Sequence, residues 1–206
     1  MKKSAFTLIE LIFSMVIIAI AFTVLPKIMQ LSTKVSTQGV REEAMYSGIA
    51  LLGLIHATAW DENNTDVDDI LIVSDGNSAY ECGSNNYRVG GFFGSRNCQH
   101  HEDASALGSD DGDLDDMDDF TTLTASNYNN SREYNLSVNV NYVTDIDESD
   151  NSAFSATTNS DTTNTKYITV AVKSAKRSKT LGKTLATFTF HAMNIGQITV
   201  NKRAWQ

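Results

Sequence analysis

The chain has 206 residues, with 16 basic and 25 acidic side chains and a net charge of −9. This balance argues against a general nucleic-acid binder, which is usually basic. One proline and 9% aromatic residues exclude collagen-like and proline-rich classes, and two cysteines are too few for a disulfide-dense scaffold.

A strongly apolar run follows a short basic leader at the amino terminus. Residues 6–25 hold 16 hydrophobic side chains in 20 positions, and Lys2 and Lys3 precede them. Twenty helical residues span about 30 Å, which is the thickness of the hydrocarbon core of a bilayer. The two lysines should keep the amino end in the cytoplasm. The run therefore predicts a membrane-spanning helix over residues 6–26.

Two ordinary interpretations of this run leave one residue unexplained. A secretory signal would be cut after Ala21, because Ala19-Ile20-Ala21 has the small-x-small form. A plain membrane anchor would stay uncut. Neither accounts for Glu10, since a carboxylate near the bilayer centre costs about 2–3 kcal/mol or more. Glu10 therefore needs a partner.

The segment Ser4-Ala5-Phe6-Thr7-Leu8-Ile9-Glu10 resembles the processing site of type IV prepilins and type II secretion pseudopilins. The resemblance implies a leader over residues 1–5, which a prepilin peptidase removes by cutting between Ala5 and Phe6. It also implies methylation of the new amino group at Phe6. Alanine stands at residue 5, where the family usually has glycine. Glu10 occupies the position of the family's glutamate, so the resemblance implies a role in filament assembly.

A second helical pattern follows Pro26, the only proline of the chain. Apolar residues recur at helical spacing on one side, and polar residues fill the other. The pattern predicts an amphipathic helix over residues 27–60 that continues the first one with a kink at Pro26. The apolar stripe consists of Ile28, Leu31, Val35, Met45, Ile49, Leu52, Ile55 and Ala59.

The remainder divides into a loop region, residues 61–130, and a β-sheet region, residues 131–206. Apolar and polar residues alternate from Tyr134 to Tyr142, which predicts a half-buried strand. Further strands are predicted over Tyr167–Val172, Leu185–Ala192 and Ile195–Val200. The polar interval Asp145–Thr165 predicts a surface loop. A sheet with one apolar face needs a cover, so the expected fold class is α+β, a long helix packed on an antiparallel sheet as in pilins.

Cys82 and Cys98 bracket a loop rich in Gly and Asn. In the oxidising periplasm such a pair is expected to form a disulfide. Closing a loop of about 15 residues would stabilise the fold by about 3 kcal/mol. The alternative is a zinc site formed together with His100 and His101, whose ligand types suit zinc but whose spacing matches no familiar zinc motif. The spacing favours the disulfide.

Residues 102–119 carry nine acidic side chains and no basic one. Clustered carboxylates attract calcium, which takes six to eight oxygen ligands. The register around Gly112 does not fit the EF-hand loop, so a solvated acidic loop competes with a weak calcium site. The candidate ligands are Asp110, Asp111, Asp113, Asp115, Asp116, Asp118 and Asp119.

The segment Asp115–Phe120 also looks like the Asp-Asp-x-Asp-Asp-Phe segment of minor pilins of the mannose-sensitive haemagglutinin type. In those proteins it follows a Trp/Phe-Asp-Glu-Asn phrase and a cysteine pair. Here Trp60–Asn63, the pair Cys82 and Cys98, and the acidic segment occur in that order. This resemblance extends over about residues 6–120.

The sequence contains no Gly-x-Ser-x-Gly, His-Glu-x-x-His or phosphate-cradling motif, so it predicts neither an enzyme nor a cofactor other than calcium. The resemblance implies a minor type IV pilin or pseudopilin, a noncatalytic subunit that crosses the bacterial inner membrane once. A periplasmic head over residues 27–206 would then be carried into a pilus or a type II secretion filament. The implied partners are other pilin subunits, the prepilin peptidase, an inner-membrane assembly platform and an assembly ATPase.

The alternative function is a tip adhesin or DNA-uptake subunit that binds an external ligand. The predicted hairpin loop Lys173–Lys183 carries five basic side chains that could contact phosphate, although the overall acidity opposes nucleic-acid binding. Two asparagines, Asn63 and Asn135, lie in segments that fit N-glycan acceptor sites.

Overall fold

The computed structural model describes residues 7–65, 70–82, 102–108, 112, 114–123, 134–147, 154–175 and 182–196. The chain divides into two compact units, Met1–Glu43 and Ala44–Gln206. The boundary falls within one long helix, α1, which spans Leu8–Ile55.

The described part of the first unit is the portion of α1 before Ala44. By length and composition, α1 is apolar enough to cross a membrane. Its large apolar side chains are exposed along the first turns, from 79% at Leu8 to 44% at Val24. The hydroxyls of Ser14 and Thr23 donate to helix carbonyls three residues back, so these polar groups are satisfied within the helix. Such a surface suits lipid, where every polar group needs an internal partner.

The helix continues through Pro26 and ends at Ile55, five residues before the end of the predicted amphipathic helix at residue 60. Beyond Ile55 the hydrogen bonds tighten to a span of three residues, from the N–H of Thr58 to the carbonyl of Ile55 at 3.2 Å. The Thr58 hydroxyl also donates to that carbonyl, at 2.7 Å. A threonine hydroxyl competes with the backbone for a helix carbonyl, which favours ending the helix here.

In the second unit, α1 buries a stripe that agrees only in part with the predicted one: Ile55 belongs to both, and the predicted Leu52 packs against the core. The buried residues are Ala44, Gly48, Leu51 and Ile55. The predicted stripe residues Met45 and Ile49 are instead 38% and 49% exposed. The difference arises because hydrophobicity alone overlooks small residues that permit close packing.

Gly48 shows how close that packing is. A Cβ atom at Gly48 would lie 2.8 Å from side-chain carbons of both Val172 and Phe188, which belong to the sheet. Helix and sheet can approach this closely only because the helix lacks a side chain at this position.

The sheet has three antiparallel strands in the order β1-β2-β3. The strands are β1 Tyr134–Val143, β2 Thr165–Ser174 and β3 Thr184–Met193. Each of the first three predicted strands lies within one of them. Of the predicted fourth strand, Ile195 and Gly196 are not in a strand, and the rest lies outside the described residues.

One hydrophobic core joins α1 of this unit to the sheet. The residues alternating along β1, including Val138 and Val140, pack with Ile168 and Val170 of β2 and with Leu51 of α1. This arrangement confirms the predicted α+β, pilin-like fold class.

A cluster of buried polar residues lies at one end of the sheet, where a surface loop was predicted. Thr163 and Asn164 are buried, although the interval 145–165 consists mostly of polar residues. The carboxylate of Asp145 accepts bonds from the N–H and side-chain amide of Asn164 and from the Thr165 hydroxyl. The side-chain amide of Asn194 donates to the carbonyl of Leu71 at 2.7 Å. None of the described residues of the interval before Thr163 is buried, as predicted, but the prediction was wrong for Thr163–Thr165, because polar residues are readily buried once they satisfy one another.

Candidate functional site

Glu10 lies in the first turn of α1, and its N–H donates to the carbonyl of Thr7 at 3.1 Å. A carboxylate at a helix amino terminus is favoured by the helix dipole. The Glu10 side chain is exposed, as its apolar neighbours are. It is therefore accessible to a partner outside this chain. Ala5 and Phe6, the predicted cleavage and methylation positions, lie outside the described residues.

The predicted disulfide cannot be followed in the structure, because Cys98 lies outside the described residues while Cys82 lies within them. His100 and His101 of the alternative zinc site also lie outside. Both interpretations of the cysteine pair stay predictions.

The structure describes four of the seven candidate calcium ligands, Asp115, Asp116, Asp118 and Asp119. The other three, Asp110, Asp111 and Asp113, lie outside the described residues. Within the described part of the chain, no three acidic, histidine or cysteine side chains are arranged to hold a metal ion. Calcium binding by the full acidic run stays a prediction.

Three of the four described aspartates are buried and hold their own turn together. Asp116 Oδ1 accepts bonds from the N–H groups of Asp118 at 2.8 Å and Asp119 at 3.0 Å. Asp119 Oδ2 accepts from the N–H groups of Asp115 and Asp116, each at 3.3 Å. The turn leads into a short 3₁₀ helix, Asp119–Thr122, that places Phe120 in the core. The closely spaced aspartates of this segment thus stabilise the turn by accepting its backbone N–H groups.

Lys166 of β2 is fully buried and lies at the centre of a cluster that sequence reasoning missed. Its Nζ donates to Asp118 Oδ1 at 2.5 Å, to Asp61 Oδ2 at 3.1 Å and to the carbonyl of Trp60 at 2.7 Å. The side chains of both aspartates are also buried, with 0% and 1% exposure. An ammonium group has three donors, and all three have acceptors here. A buried charge is tolerated only with such complete pairing.

Two aromatic rings enclose the ammonium group. Nζ lies 4.6 Å from the centroid of the Trp60 ring and 5.3 Å from that of Tyr142. Aromatic faces attract a cation, more strongly where water is excluded. The Trp60 indole N–H donates to the carbonyl of Ala192 on β3 at 3.2 Å, which fixes the ring in place.

Asp61 contributes to this cluster while it begins a short 3₁₀ helix, Glu62–Asn64. Its Oδ1 accepts from the N–H of Asn63. The Asp61 N–H in turn donates to the side-chain oxygen of Asn64, which completes a capping box. The Asp61 carboxylate also accepts from the N–H of Ser105 at 3.1 Å. The Trp-Asp-Glu-Asn phrase thus combines a helix cap with a ligand for the buried lysine.

The Tyr142 hydroxyl lies 3.2 Å from Asp61 Oδ2 and 2.8 Å from the carbonyl oxygen of Ser105. Burial, together with the nearby charge of Asp61, raises the pKa of Tyr142. The hydroxyl therefore remains protonated and acts as a donor to these oxygens.

Burial also changes the acidity of the adjacent turn. Burial and then the charge of Asp118 raise the pKa of Asp116 to about 7, although Lys166 acts in the opposite direction. Burial likewise raises the pKa of Asp119. The carboxyl group of Asp116 therefore loses its proton near neutral pH.

One signal in the sequence could have identified Lys166. It shares the alternation of β2 with Ile168, Val170 and Val172, all of which are buried. A lysine on the core-facing side of a strand requires buried acidic partners. In the structure, Asp61 and Asp118 supply them from distant positions in the sequence.

Two places bear on the external-ligand alternative. Lys173 and Lys183, at the ends of the basic loop, are exposed, while residues 176–181 lie outside the described residues. A cavity of about 670 Å³ beside Tyr142 is lined by polar groups that include Asp103 and Asp161. These features leave binding of an external ligand as a prediction.

Residues 1–26 match the family model of the prokaryotic N-terminal methylation motif. No curated protein and no solved structure gives a significant match to the chain. The matched range contains the leader, the predicted cleavage position, Glu10 and the first part of α1. The chain therefore carries a prepilin-type amino-terminal signal, which supports a type IV pilin-like or pseudopilin subunit.

Proposed function

We propose that the protein is a minor type IV pilin or pseudopilin, a noncatalytic subunit held in the bacterial inner membrane and then assembled into a pilus or a type II secretion filament. The observation that carries this proposal is the methylation motif at residues 1–26, which continues into an exposed apolar helix. The prepilin signal implies processing by a prepilin peptidase and assembly with other pilin subunits. An inner-membrane platform and an assembly ATPase complete the proposed machinery.

The exposed apolar surface of α1 suits both lipid before assembly and neighbouring helices in a filament. Its exposed apolar side chains from Leu8 to Leu25 require a nonpolar cover, which lipid supplies before assembly and neighbouring helices supply afterwards. Glu10 is the charged exception on this surface. In a filament its carboxylate would pair with the methylated amino group of Phe6 in a neighbouring subunit, which offsets the burial of both charges.

The second unit supports the role of a head outside the membrane. It encloses its own hydrophobic core and satisfies the ammonium of Lys166 internally. A region of this kind needs no lipid and no partner to fold its core.

The cluster around Lys166 also supports a closer relation to minor pilins of the mannose-sensitive haemagglutinin type. The two segments that resemble those proteins, Trp60–Asn63 and Asp115–Phe120, are distant in sequence. In the structure, Asp61 and Asp118 bind the same ammonium group, and the N–H of Ala59 donates to the carbonyl of Asp115 at 3.1 Å. The paired phrases would then be one structural unit.

Mass spectrometry of the amino terminus tests the processing step. Protein isolated from membranes should begin at Phe6 and carry a methyl group on its amino nitrogen. The Ala5→Gly variant, which restores the residue usual in the family, should give the same terminus. A terminus at Phe22 would instead identify an ordinary secretory signal and overturn the proposal.

Replacement of Glu10 tests the filament role separately. Glu10→Ala should still insert in the membrane, since it removes a charge from an apolar helix, but it should be depleted from sheared filaments. Ser14→Ala is the matched control, because the Ser14 hydroxyl bonds only within its own helix in the described chain. Equal incorporation of both variants would remove the proposed role of Glu10.

A further inference from the structure

We propose that Lys166 and Asp118 become joined by an intramolecular isopeptide bond, an amide that links β2 covalently to the acidic turn. Nζ of Lys166 lies 2.5 Å from Oδ1 of Asp118, and the two side chains are 0% and 1% exposed. An amine and a carboxyl group are thus held in contact, away from water, by two distant parts of the chain. Fixing reactants in this way replaces an encounter in solution by a reaction within one molecule.

Amide formation requires the uncharged form of the pair. A lysine acts as a nucleophile only as the neutral amine. Transfer of one proton from Nζ to the adjacent Asp118 carboxylate leaves an amine and a carboxylic acid, both uncharged. The three acceptors and the two aromatic rings hold the ammonium form beforehand, so this proton transfer has to precede the attack.

The surrounding groups fit the remaining requirements of amide formation. Asp118 Oδ2 accepts the N–H of Gly108 at 2.8 Å, so a donor already faces the oxygen on which negative charge develops. Asp61 Oδ2 lies 3.1 Å from Nζ and can accept a second proton from it. The Ser105 N–H and the Tyr142 hydroxyl hold that carboxylate in position.

The reaction balances with these groups alone. Nζ attacks Cγ of Asp118, forming the C–N bond and a tetrahedral centre. The bond from Cγ to Oδ1 then breaks, and Oδ1 leaves as water. Both protons of that water come from the original ammonium group, one directly and one through Asp61, which returns to its carboxylate form. No oxidant, reductant or cofactor takes part.

Intact mass spectrometry of the full chain, extracted from membranes in detergent, tests the bond. The mature protein should be lighter than its sequence predicts by the mass of one water, apart from the amino-terminal changes and any disulfide, which reduction removes. Digestion should yield a branched peptide that joins the segments containing Asp118 and Lys166, and trypsin should fail to cut after Lys166.

Two variants assign the bond to this pair. Lys166→Arg keeps a positive charge but removes the nucleophile, so the missing water should be restored to the mass. Lys173→Arg, at an exposed lysine on the same strand, should keep the loss of water and the branched peptide. The wild-type protein alone can overturn the proposal. Full sequence mass together with separate linear peptides containing Asp118 and Lys166 would show that the pair remains an ion pair.

Discussion

The two units of this chain differ in where their apolar and polar side chains find a favourable environment. The first unit exposes large apolar side chains along α1 and satisfies the hydroxyls of Ser14 and Thr23 within the helix. The second unit encloses a hydrophobic core and also buries a lysine with two aspartates. The first surface depends on an external nonpolar environment, whereas the second unit supplies the partners of its own polar groups.

This contrast predicts which property a substitution should alter in each unit. A substitution in the first unit should alter insertion or assembly, because little in the described chain packs against that part of α1. A substitution in the second unit should alter folding, because buried polar groups such as Lys166 and Asn164 have partners that would be left uncompensated. Three substitutions in the second unit test this distinction.

The largest effect is expected for Lys166→Met. Whether Lys166 and Asp118 form an ion pair or the proposed amide, the variant leaves the carboxylates of Asp61 and Asp118 buried without their lysine partner, and removing one partner of a buried pair typically costs about 3–5 kcal/mol. Denaturant unfolding of the full chain in detergent, followed by fluorescence of buried Trp60, measures the change. Lys173→Met, at an exposed site on β2, should stay within about 0.5 kcal/mol of the parent. Equal midpoints for the two variants would refute the structural importance of the cluster.

A pH-dependent effect is expected for Asp116→Asn. The pKa of Asp116 rises from 3.8 to about 7 on folding, so folding favours its protonated form. That stabilisation is complete below about pH 4 and is lost as the pH rises through 7. Asparagine keeps the acceptor for the N–H groups of Asp118 and Asp119 but carries no charge.

The variant should therefore match the parent near pH 4 and become more stable than the parent by about 2–4 kcal/mol at pH 8, since each pKa unit corresponds to about 1.4 kcal/mol. Unfolding curves collected at both pH values give the difference. Parallel pH dependence of the two proteins would contradict the assignment of this titration to Asp116.

The smallest effect is expected for Gly48→Ala, and it has an internal control in the same helix. A new Cβ would lie 2.8 Å from Val172 and Phe188, and overpacking of this kind costs about 1–3 kcal/mol. At Gly53 a Cβ would meet nothing within 4 Å, so Gly53→Ala should stabilise the helix by up to about 1 kcal/mol. Thermal melting of both variants should show shifts of opposite sign. Shifts of the same sign would show that the helix and sheet do not pack this closely.

Local pattern was sufficient to predict the apolar helix and three strands. The alternation from Tyr134 to Tyr142 and the mainly apolar run from Phe6 to Leu25 are each read from residues close together in sequence. They required no knowledge of what lies across the fold.

The features that could not be predicted depend on contacts between residues that are distant in sequence. The buried face of α1 depends on Gly48, whose importance comes from the sheet residues beside it rather than from its own hydrophobicity. Lys166 acquires its partners from positions 105 and 48 residues away in sequence. The polar residues Thr163 and Asn164 are buried because Asp145 and Val143 supply acceptors for them. None of these pairings leaves a local pattern.

The position of Trp60 has a mechanical consequence. The chain leaves α1 at Ile55, and five residues later the Trp60 carbonyl and indole N–H are bonded to β2 and β3. Tension applied to α1 would reach these attachments before it reached the loops beyond them. We expect the force needed to unfold the second unit to depend on them, since forced unfolding is governed by the unfolding barrier. Optical-tweezers pulling on the full chain should show a lower unfolding force for Trp60→Phe, which lacks the indole N–H, and an unchanged force would place the resistance elsewhere.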